Sequence, residues 1–184
     1  SLFECPNMSA KLIHCHPSDN ELGKIYAPDL SLQASPNAMA NALASIKISD
    51  DSNRGDWLRA AKAAYDASYS VKAQPGNLDM GEVLAHLREV IPKNAIVTNG
   101  AGNFAIWPNK FLKFGQEGRL LAPQSGAMGY GLPAAIAAKL HDPNRFVLCF
   151  AGDGDFQMNG NELGSAMQAG LPLIVLIVNN GSYG

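Results

Sequence analysis

Apolar positions change their spacing along the chain, and the change predicts helices that alternate with buried strands. Between Met80 and Ile91 apolar residues recur every three or four positions, which is typical of an amphipathic helix, and Pro92 then breaks that pattern. Further along, continuous apolar runs are typical of strands covered on both faces. These runs are 95–98, 146–150 and 173–178, and the helices expected between them cover about 132–140 and 157–169. The alternation predicts an α/β fold, with an open parallel sheet and helices on both faces.

Residues 1–75 show a weaker pattern. A short strand is expected over 11–16, the polar residues 49–56 have linker composition, and the alanine-rich run 57–70 favours a helix. We therefore divide the chain into a first segment over 1–48, a linker and helix over 49–75, and a main domain over 76–184. The sequence stops at Gly184, directly after a predicted strand, so we expect the main domain to be truncated.

Composition and charge argue against several classes of function. Charged residues make up only 16% of the chain and hydrophobic residues 47%, whereas a typical soluble domain has about 25% charged residues. We therefore expect part of the surface to be covered by other protein. The net charge is -2 and no Lys/Arg cluster is present, so nucleic acid is not an expected partner.

Location is predicted from the cysteines and from the apolar runs. Cys5, Cys15 and Cys149 form no CxxC pair and no even-numbered framework, which favours a reducing, cytoplasmic setting. The strongly apolar run 171–178 is too short to cross a bilayer, and the N-terminus lacks the features of a signal peptide. No membrane association is expected.

Two polar loops follow neighbouring predicted strands, at 152–154 and at 179–181. Carboxyl ends of parallel strands meet at one edge of a sheet, so the Asp153 carboxylate and the Asn180 amide oxygen are expected to reach one ion. Both are hard oxygen ligands of the kind that Mg²⁺ prefers, and one backbone carbonyl beside them would leave room for phosphate oxygens. Each loop alone is also a common turn sequence without a ligand. Their shared position therefore carries the hypothesis of a magnesium site.

The glycines around Asp153 suit a bound phosphate. Residues without Cβ let backbone N–H groups approach an anion closely. The first N–H groups of the following helix, from Gly154, Asp155 and Phe156 onward, are expected to add to this anion site.

The two loops and the segment between them resemble the cofactor signature of thiamine-diphosphate enzymes. Residues 125–135 are similar to the pyrimidine-side loop of the acetolactate synthase and pyruvate oxidase branch of that family. The resemblance covers 99–184, and 13–24 is similar to the last strand and turn of the family's middle domain. It implies a diphosphate-binding domain preceded by a remnant of a central α/β domain.

The resemblance also implies residue roles. Asp153, Asn180 and the carbonyl of Ser182 would be the magnesium ligands. Met128 would be the wedge that bends the cofactor, and the Gly126 carbonyl would accept a hydrogen bond from its 4'-amino group. The implied cofactor-binding residues are Gly102, Asn103, Gly126, Met128, Gly152, Gly154, Asp155, Phe156 and Asn180.

Two positions depart from the family pattern. Asp155 stands where Ser or Ala is frequent, and we expect its carboxylate to turn away from the diphosphate and cap the helix. Asn103 stands where the synthases tend to have a longer glutamine. Outside the signature, His14 and His16 share one strand face and could bind a metal, although ordinary hydrogen bonding is the favoured interpretation.

Together these features imply a thiamine-diphosphate- and magnesium-dependent enzyme that decarboxylates a 2-keto acid and ligates the product, as acetolactate synthase does. Its activating glutamate is expected from a missing N-terminal domain of a neighbouring subunit. We thus expect no catalytic residue in this chain, an inactive fragment, and a homodimer or homotetramer with shared active sites. A simple 2-keto acid decarboxylase or another carboligase is the alternative within the family, and FAD binding is left open. A non-catalytic nucleotide-binding module is disfavoured because no strand leads into GxGxxG or GxxxxGK[ST].

Overall fold

A computed structural model of the chain describes residues 9–47 and 52–182. These residues form two compact units, one up to Trp57 and one from Leu58. The boundaries predicted after residues 48 and 75 stay predictions, and the first of them falls at 48–51, outside the described residues.

The first unit contains a small parallel sheet. Strand β1 (Ile13–His16) pairs with β2 (Leu30–Gln33), and a 3₁₀ turn (Asp19–Glu21) and helix α1 (Pro36–Ala44) follow β1 and β2, respectively. The Ser35 hydroxyl accepts a hydrogen bond from the Ala38 N–H at 3.2 Å and so caps α1. Helix α2 spans Ser52–Ser68, so the helix predicted from the alanine-rich run is present, but it begins within the stretch predicted as a linker and continues across the division between the two units.

The second unit alternates helices and strands as predicted. Its elements are α3 (Met80–Val90), β3 (Ile96–Asn99), α4 (Ile106–Phe111), β4 (Arg119–Leu121), α5 (Gly131–His141), β5 (Val147–Gly152), α6 (Asp153–Asn159), α7 (Leu163–Gln168) and β6 (Ile174–Val178). The strands form one sheet in the order β4-β3-β5-β6, and every neighbouring pair is parallel. The predicted α/β class and open parallel sheet are confirmed.

One predicted helix was wrong in its bounds. The helix expected over 157–169 begins at Asp153, and a 3₁₀ turn (Gly160–Glu162) divides it into α6 and α7. Gly160 itself keeps helical dihedral angles, with φ of -60° and ψ of -24°, and the backbone leaves the helical conformation at Asn159, with φ of -139° and ψ of 24°. The division between α6 and α7 therefore begins at Asn159.

Side chains of the central strands alternate between two cores, so both faces of the sheet are covered. Val97, Leu148 and Phe150 pack in the core that includes residues of α3 and α4. Ile96 and Cys149 pack in the core built with α5. All residues of β3 and β5 are buried, which explains their continuous apolar runs. Burial raises the pKa of the Cys149 thiol to about 11.

No helix within residues 9–47 and 52–182 is long and apolar enough to cross a membrane.

Candidate functional site

Several loops meet at the carboxyl edge of the sheet in the second unit. The register pairs Asn99 of β3 with Phe150 of β5, and Gly152 of β5 with Val178 of β6. The segments that leave these strands therefore emerge side by side. Between them lies a cleft of about 710 Å³.

Most of the predicted site residues line this cleft. They are Gly102, Asn103, Met128, Gly152, Asp153, Gly154, Asp155, Asn180 and Ser182. Strand order predicted that Asp153 and Asn180 meet at this edge of the sheet, and the family resemblance implied the other residues. The lining includes a carboxylate, an amide and several backbone groups, which are the polar anchors that small-molecule sites need.

Two predicted residues do not line the cleft. Gly126 is exposed and has a φ of 67°. An added Cβ at this position would point into open space, with no neighbouring atom within 4 Å. Phe156 points its ring into the core on the α5 side of the sheet. The predicted contacts of both residues are made by backbone atoms, the Gly126 carbonyl and the Phe156 N–H, and these contacts stay predictions.

The apolar wall of the cleft was missed from sequence. Phe104 and Trp107, from the segment after β3, line it together with Met80 and Val83 of α3 and Leu176 of β6. Phe104 and Trp107 are three residues apart in a segment that forms a 3₁₀ turn and then α4, so helical spacing was the available signal. The same residues also belong to or pack against the core, which is why sequence alone assigns them to the interior.

The loop after β6 is shaped by its own asparagines. The Asn179 side-chain oxygen accepts a hydrogen bond from the Gly181 N–H at 2.8 Å, and the Asn180 side-chain oxygen accepts one from the Ser182 N–H at 3.0 Å. Gly181 has a φ of 65°, which favours glycine. An amide oxygen has two lone pairs, so Asn180 keeps one for a cation.

The donors at this end of the cleft suit a magnesium ion that is shared with a bound anion. Among the described residues, no group of three or more His, Cys, Asp and Glu side chains lies close enough to hold a metal. Asp153, Asn180 and the Ser182 carbonyl supply oxygen donors but only one carboxylate. Magnesium in such surroundings takes its remaining ligands from water and phosphate oxygens.

Glycines let an aromatic ring pack closely against the backbone that lines the cleft. A Cβ on Gly152 would lie 2.8 Å from the Phe104 ring, and one on Gly102 would lie 3.0 Å from the same ring. Gly102 also has a φ of 150°. A side chain at either position would therefore displace Phe104 from the wall of the cleft.

Asp155 corrects one sequence-based expectation. Its carboxylate does turn aside, but the N-cap of α6 is Gly152, which has no side chain to cap with. One carboxylate oxygen accepts hydrogen bonds from the Gly129 N–H at 2.7 Å and from the Ala101 N–H at 3.2 Å. Asp155 is 3% exposed, and this burial raises its pKa although N–H groups of Gly129, Ala101 and Gly152 favour the ionised form. The Asp155 side chain therefore links the first turn of α6, which follows β5, to the loops that follow β3 and β4.

The two histidines of β1 make local hydrogen bonds. The His14 Nδ1 atom accepts a bond from the Gly23 N–H at 3.2 Å, and the His16 Nδ1 atom accepts one from the Ser18 N–H at 3.1 Å. These bonds close the turns after the strand. They support the ordinary interpretation over metal binding.

The chain is similar to known proteins of one cofactor-dependent family. Residues 100–184 match the family described as the thiamine pyrophosphate enzyme C-terminal TPP binding domain. The chain is also 30% identical over 179 residues to the acetolactate synthase large subunit of Lactococcus lactis, covering 96% of this chain and 31% of that protein. It is 31% identical over 182 residues to the acetolactate synthase isozyme 1 large subunit of Escherichia coli (98% and 32% covered). It is 32% identical over 185 aligned positions to the acetolactate synthase large subunit of Cyanidium caldarium (97% and 31% covered). The chain thus spans about a third of the length of these relatives.

Proposed function

Residues 100–184 belong to the family of C-terminal thiamine-pyrophosphate-binding domains, and from this premise we propose that the chain forms the magnesium and diphosphate half of an acetolactate synthase-like active site. The observation that supports the proposal is the cleft at the carboxyl edge of the sheet, whose lining includes Asp153, Asn180 and Ser182. The stability of the parallel sheet does not depend on these three oxygen donors, so their presence in the cleft favours a role in binding.

Asp153, Asn180 and the Ser182 carbonyl would hold Mg²⁺. Asp153 supplies the negative charge, and the two neutral oxygens complete the protein's share of the ligands. Beside them, Gly102, Asn103, Gly152 and Gly154 line the cleft, and their backbone or amide groups would hold the diphosphate. The N–H groups of Gly154 and Asp155, in the first turn of α6, have no partners within the helix and would add to that site, whereas the Phe156 N–H is the first that can donate within the helix, to the Gly152 carbonyl.

Met128 and Gly126 would act on the ring end of the cofactor. Met128 lines the cleft, is 36% exposed, and would fill the space beneath the bent cofactor. The Gly126 carbonyl would accept a hydrogen bond from the 4'-amino group. When bound, thiamine diphosphate supplies the electron sink for decarboxylation, and the residues of this chain bind it, bend it and hold its metal.

The substrate and the assembly form the finer part of the proposal. The similarity to proteins named acetolactate synthase large subunit favours a 2-keto acid substrate, decarboxylation and carboligation. A simple decarboxylase of the same family is the second candidate, since the residues that choose the acceptor are not in this cleft. We further propose a cytoplasmic homodimer or homotetramer whose partner subunit supplies the activating glutamate. That arrangement would cover exposed apolar side chains in and after the loop that carries the proposed wedge, including Met128 and Tyr130.

Calorimetric titration with thiamine diphosphate, with and without Mg²⁺, tests the metal site in the protein at its natural length. Asp153→Ala should abolish the magnesium-dependent part of binding, because the diphosphate charge loses its main bridge to the protein. Asp142→Ala is the matched control, since Asp142 follows the C-terminal end of α5 and so lies toward the opposite edge of the sheet. Equal affinities of wild type and Asp153→Ala would overturn the assignment.

A further inference from the structure

Gly129, the residue after Met128, is held through both of its backbone groups by one helix. Its N–H donates to the Asp155 carboxylate at 2.7 Å, and its carbonyl accepts from the Asn159 side-chain amide at 2.8 Å. Asp155 and Asn159 are four residues apart in α6, so they lie on the same face of that helix. Helix α6 therefore holds Gly129 by two hydrogen bonds, one to each of its backbone groups.

The surroundings of Gly129 leave little freedom for movement. The residue is buried and has a φ of 81°. A Cβ there would lie 2.7 Å from the Asn159 amide nitrogen and 2.8 Å from the Met158 Cβ. Upstream, by contrast, residues 124–128 are exposed. The loop is thus fixed at Gly129, immediately next to the side chain proposed as the wedge.

The same helix carries Asp153 in its first turn. One short rigid element therefore presents the proposed magnesium ligand and also holds the backbone beside the proposed wedge. Any shift of Gly129 relative to α6 would change the distance between Met128 and Asp153. Since reacting groups must be placed within a fraction of an ångström, a displacement of about 1 Å can slow a reaction by about 10²-fold.

We propose that Asp155 and Asn159 are positioning residues, which clamp Gly129 and thereby set the place of Met128 relative to the metal-binding end of the cleft. This role rests on the proposed function, because it gives Met128 a cofactor to support. The Asp155 carboxylate acts here through hydrogen bonds to Gly129 and Ala101, whereas the Asp155 N–H is the group proposed above to face the diphosphate. Neither residue need touch substrate.

Amide hydrogen exchange in the cofactor-free protein tests the clamp directly. In Asn159→Ala, peptides that cover 126–131 should exchange about tenfold faster, because the loop loses one of its two fixed points. Gln157→Ala is the matched control, since it removes an exposed amide from the same helix. Asp155→Ala should also accelerate exchange, and Asp155→Asn should restore most of the protection, because its amide oxygen can still accept the Gly129 bond.

Exchange of the C2 proton of bound thiamine diphosphate, followed by NMR, tests whether the clamp acts through Met128. Asn159→Ala should slow this exchange by about tenfold when Met128 is present. In the Met128→Ala background the same substitution should change it by less than about twofold, because non-additivity marks residues that act through each other. Equal slowing in both backgrounds would overturn the positioning role.

The two proposals fail in different ways. If wild-type protein binds no magnesium and thiamine diphosphate, the proposed function fails, and with it the role of the clamp in placing a cofactor. If binding is normal but the 126–131 peptides of Asn159→Ala stay as protected as those of Gln157→Ala, the clamp alone is overturned. Should Asp155→Ala fail to fold, Asn159→Ala and Asp155→Asn still decide the question.

Discussion

The two loops that would share one metal ion are built in opposite ways. The segment after β5 is the first turn of α6, and it follows a strand whose residues are all buried. In that turn the Asp155 carboxylate accepts hydrogen bonds from backbone N–H groups of two loops that lie 26 and 54 residues earlier in the sequence. The loop after β6 leaves a strand that is partly exposed. It is shaped by hydrogen bonds that the side-chain oxygens of Asn179 and Asn180 accept from the N–H groups two residues ahead. One side of the proposed site depends on tertiary packing, and the other is encoded locally.

This difference predicts how far through the structure the effect of a substitution should extend. A substitution next to Asp155 should disturb the start of α6 together with the loops after β3 and β4, because one carboxylate is hydrogen-bonded to both loops. A change within residues 179–182 should disturb only that turn. Metal binding needs both sides, so either kind of damage weakens it, but stability should respond very differently.

Gly100→Ala should have the largest effect on stability. Gly100 is buried, and a Cβ there would overlap the Asp155 carboxylate. That carboxylate is held by two backbone hydrogen bonds, so it cannot move aside without losing them. We expect a loss of about 3 kcal/mol in the free energy of unfolding, the upper range for overpacking a well-packed interior, measured by urea denaturation.

Gly164→Ala is the matched control for this substitution. Gly164 lies in α7 and is exposed. An added Cβ there would have no neighbouring atom within 4 Å. In a helix this change should leave stability unchanged or raise it by about 0.5–1 kcal/mol. If both variants unfold at the same urea concentration, the close packing of Gly100 against Asp155 is not what holds the loops.

Gly181→Ala should have a smaller and more local effect. There is open space around Gly181, but its φ of 65° strains any residue with a Cβ. The expected cost is about 1 kcal/mol. Amide exchange should accelerate for the peptide over 179–182 and stay unchanged for the peptide over 100–103. Accelerated exchange in both peptides would show that the two loops are coupled, and would break the distinction between them.

The sequence predicted the parts that depend on periodicity and strand order. The continuous apolar runs identified β3, β5 and β6 within a few residues. The rule that parallel strands end at one edge then placed Asp153 and Asn180 in one cleft. Both inferences use short-range patterns whose physical cause is burial of the sheet on two faces.

The rest depends on contacts between distant residues. Asp155 was expected to cap its own helix, since its partners in other loops leave no local pattern. The edge strand β4 has only three residues, too few to show a period, and β2 alternates apolar and polar residues over four positions without the continuous apolar run that identified β3. Asn159 gave no signal at all, because an asparagine at the end of a short helix ordinarily faces solvent. These features arise from packing and are visible only once the loops are placed.

The smallest predicted effect concerns another locally encoded feature, the start of α3 at the apolar wall of the cleft. The two carboxylate oxygens of Asp79 accept hydrogen bonds from the Gln74 N–H at 2.9 Å and from the Gly81 N–H at 2.7 Å. The Gln74 bond in particular lowers the pKa of Asp79. A lowered pKa in the folded state means that the stabilisation is complete above the ordinary value for aspartate, about 4, and is lost as the pH falls through the lowered value.

Asp79→Ala should therefore lower the Tm modestly at pH 7, and the difference from wild type should shrink as the pH falls below about 4. The reason is that protonation removes from wild type the same charged cap that the substitution removes at every pH. Glu89→Ala serves as the control, because it takes one exposed carboxylate from the same helix without touching the cap. Thermal unfolding followed by circular dichroism between pH 3 and 7 measures both variants. A Tm difference for Asp79→Ala that stays constant across this range would contradict a charged cap. Acceleration of amide exchange in the 100–103 peptide would contradict its local nature, and would place the start of α3 with the packed loops around Asp155.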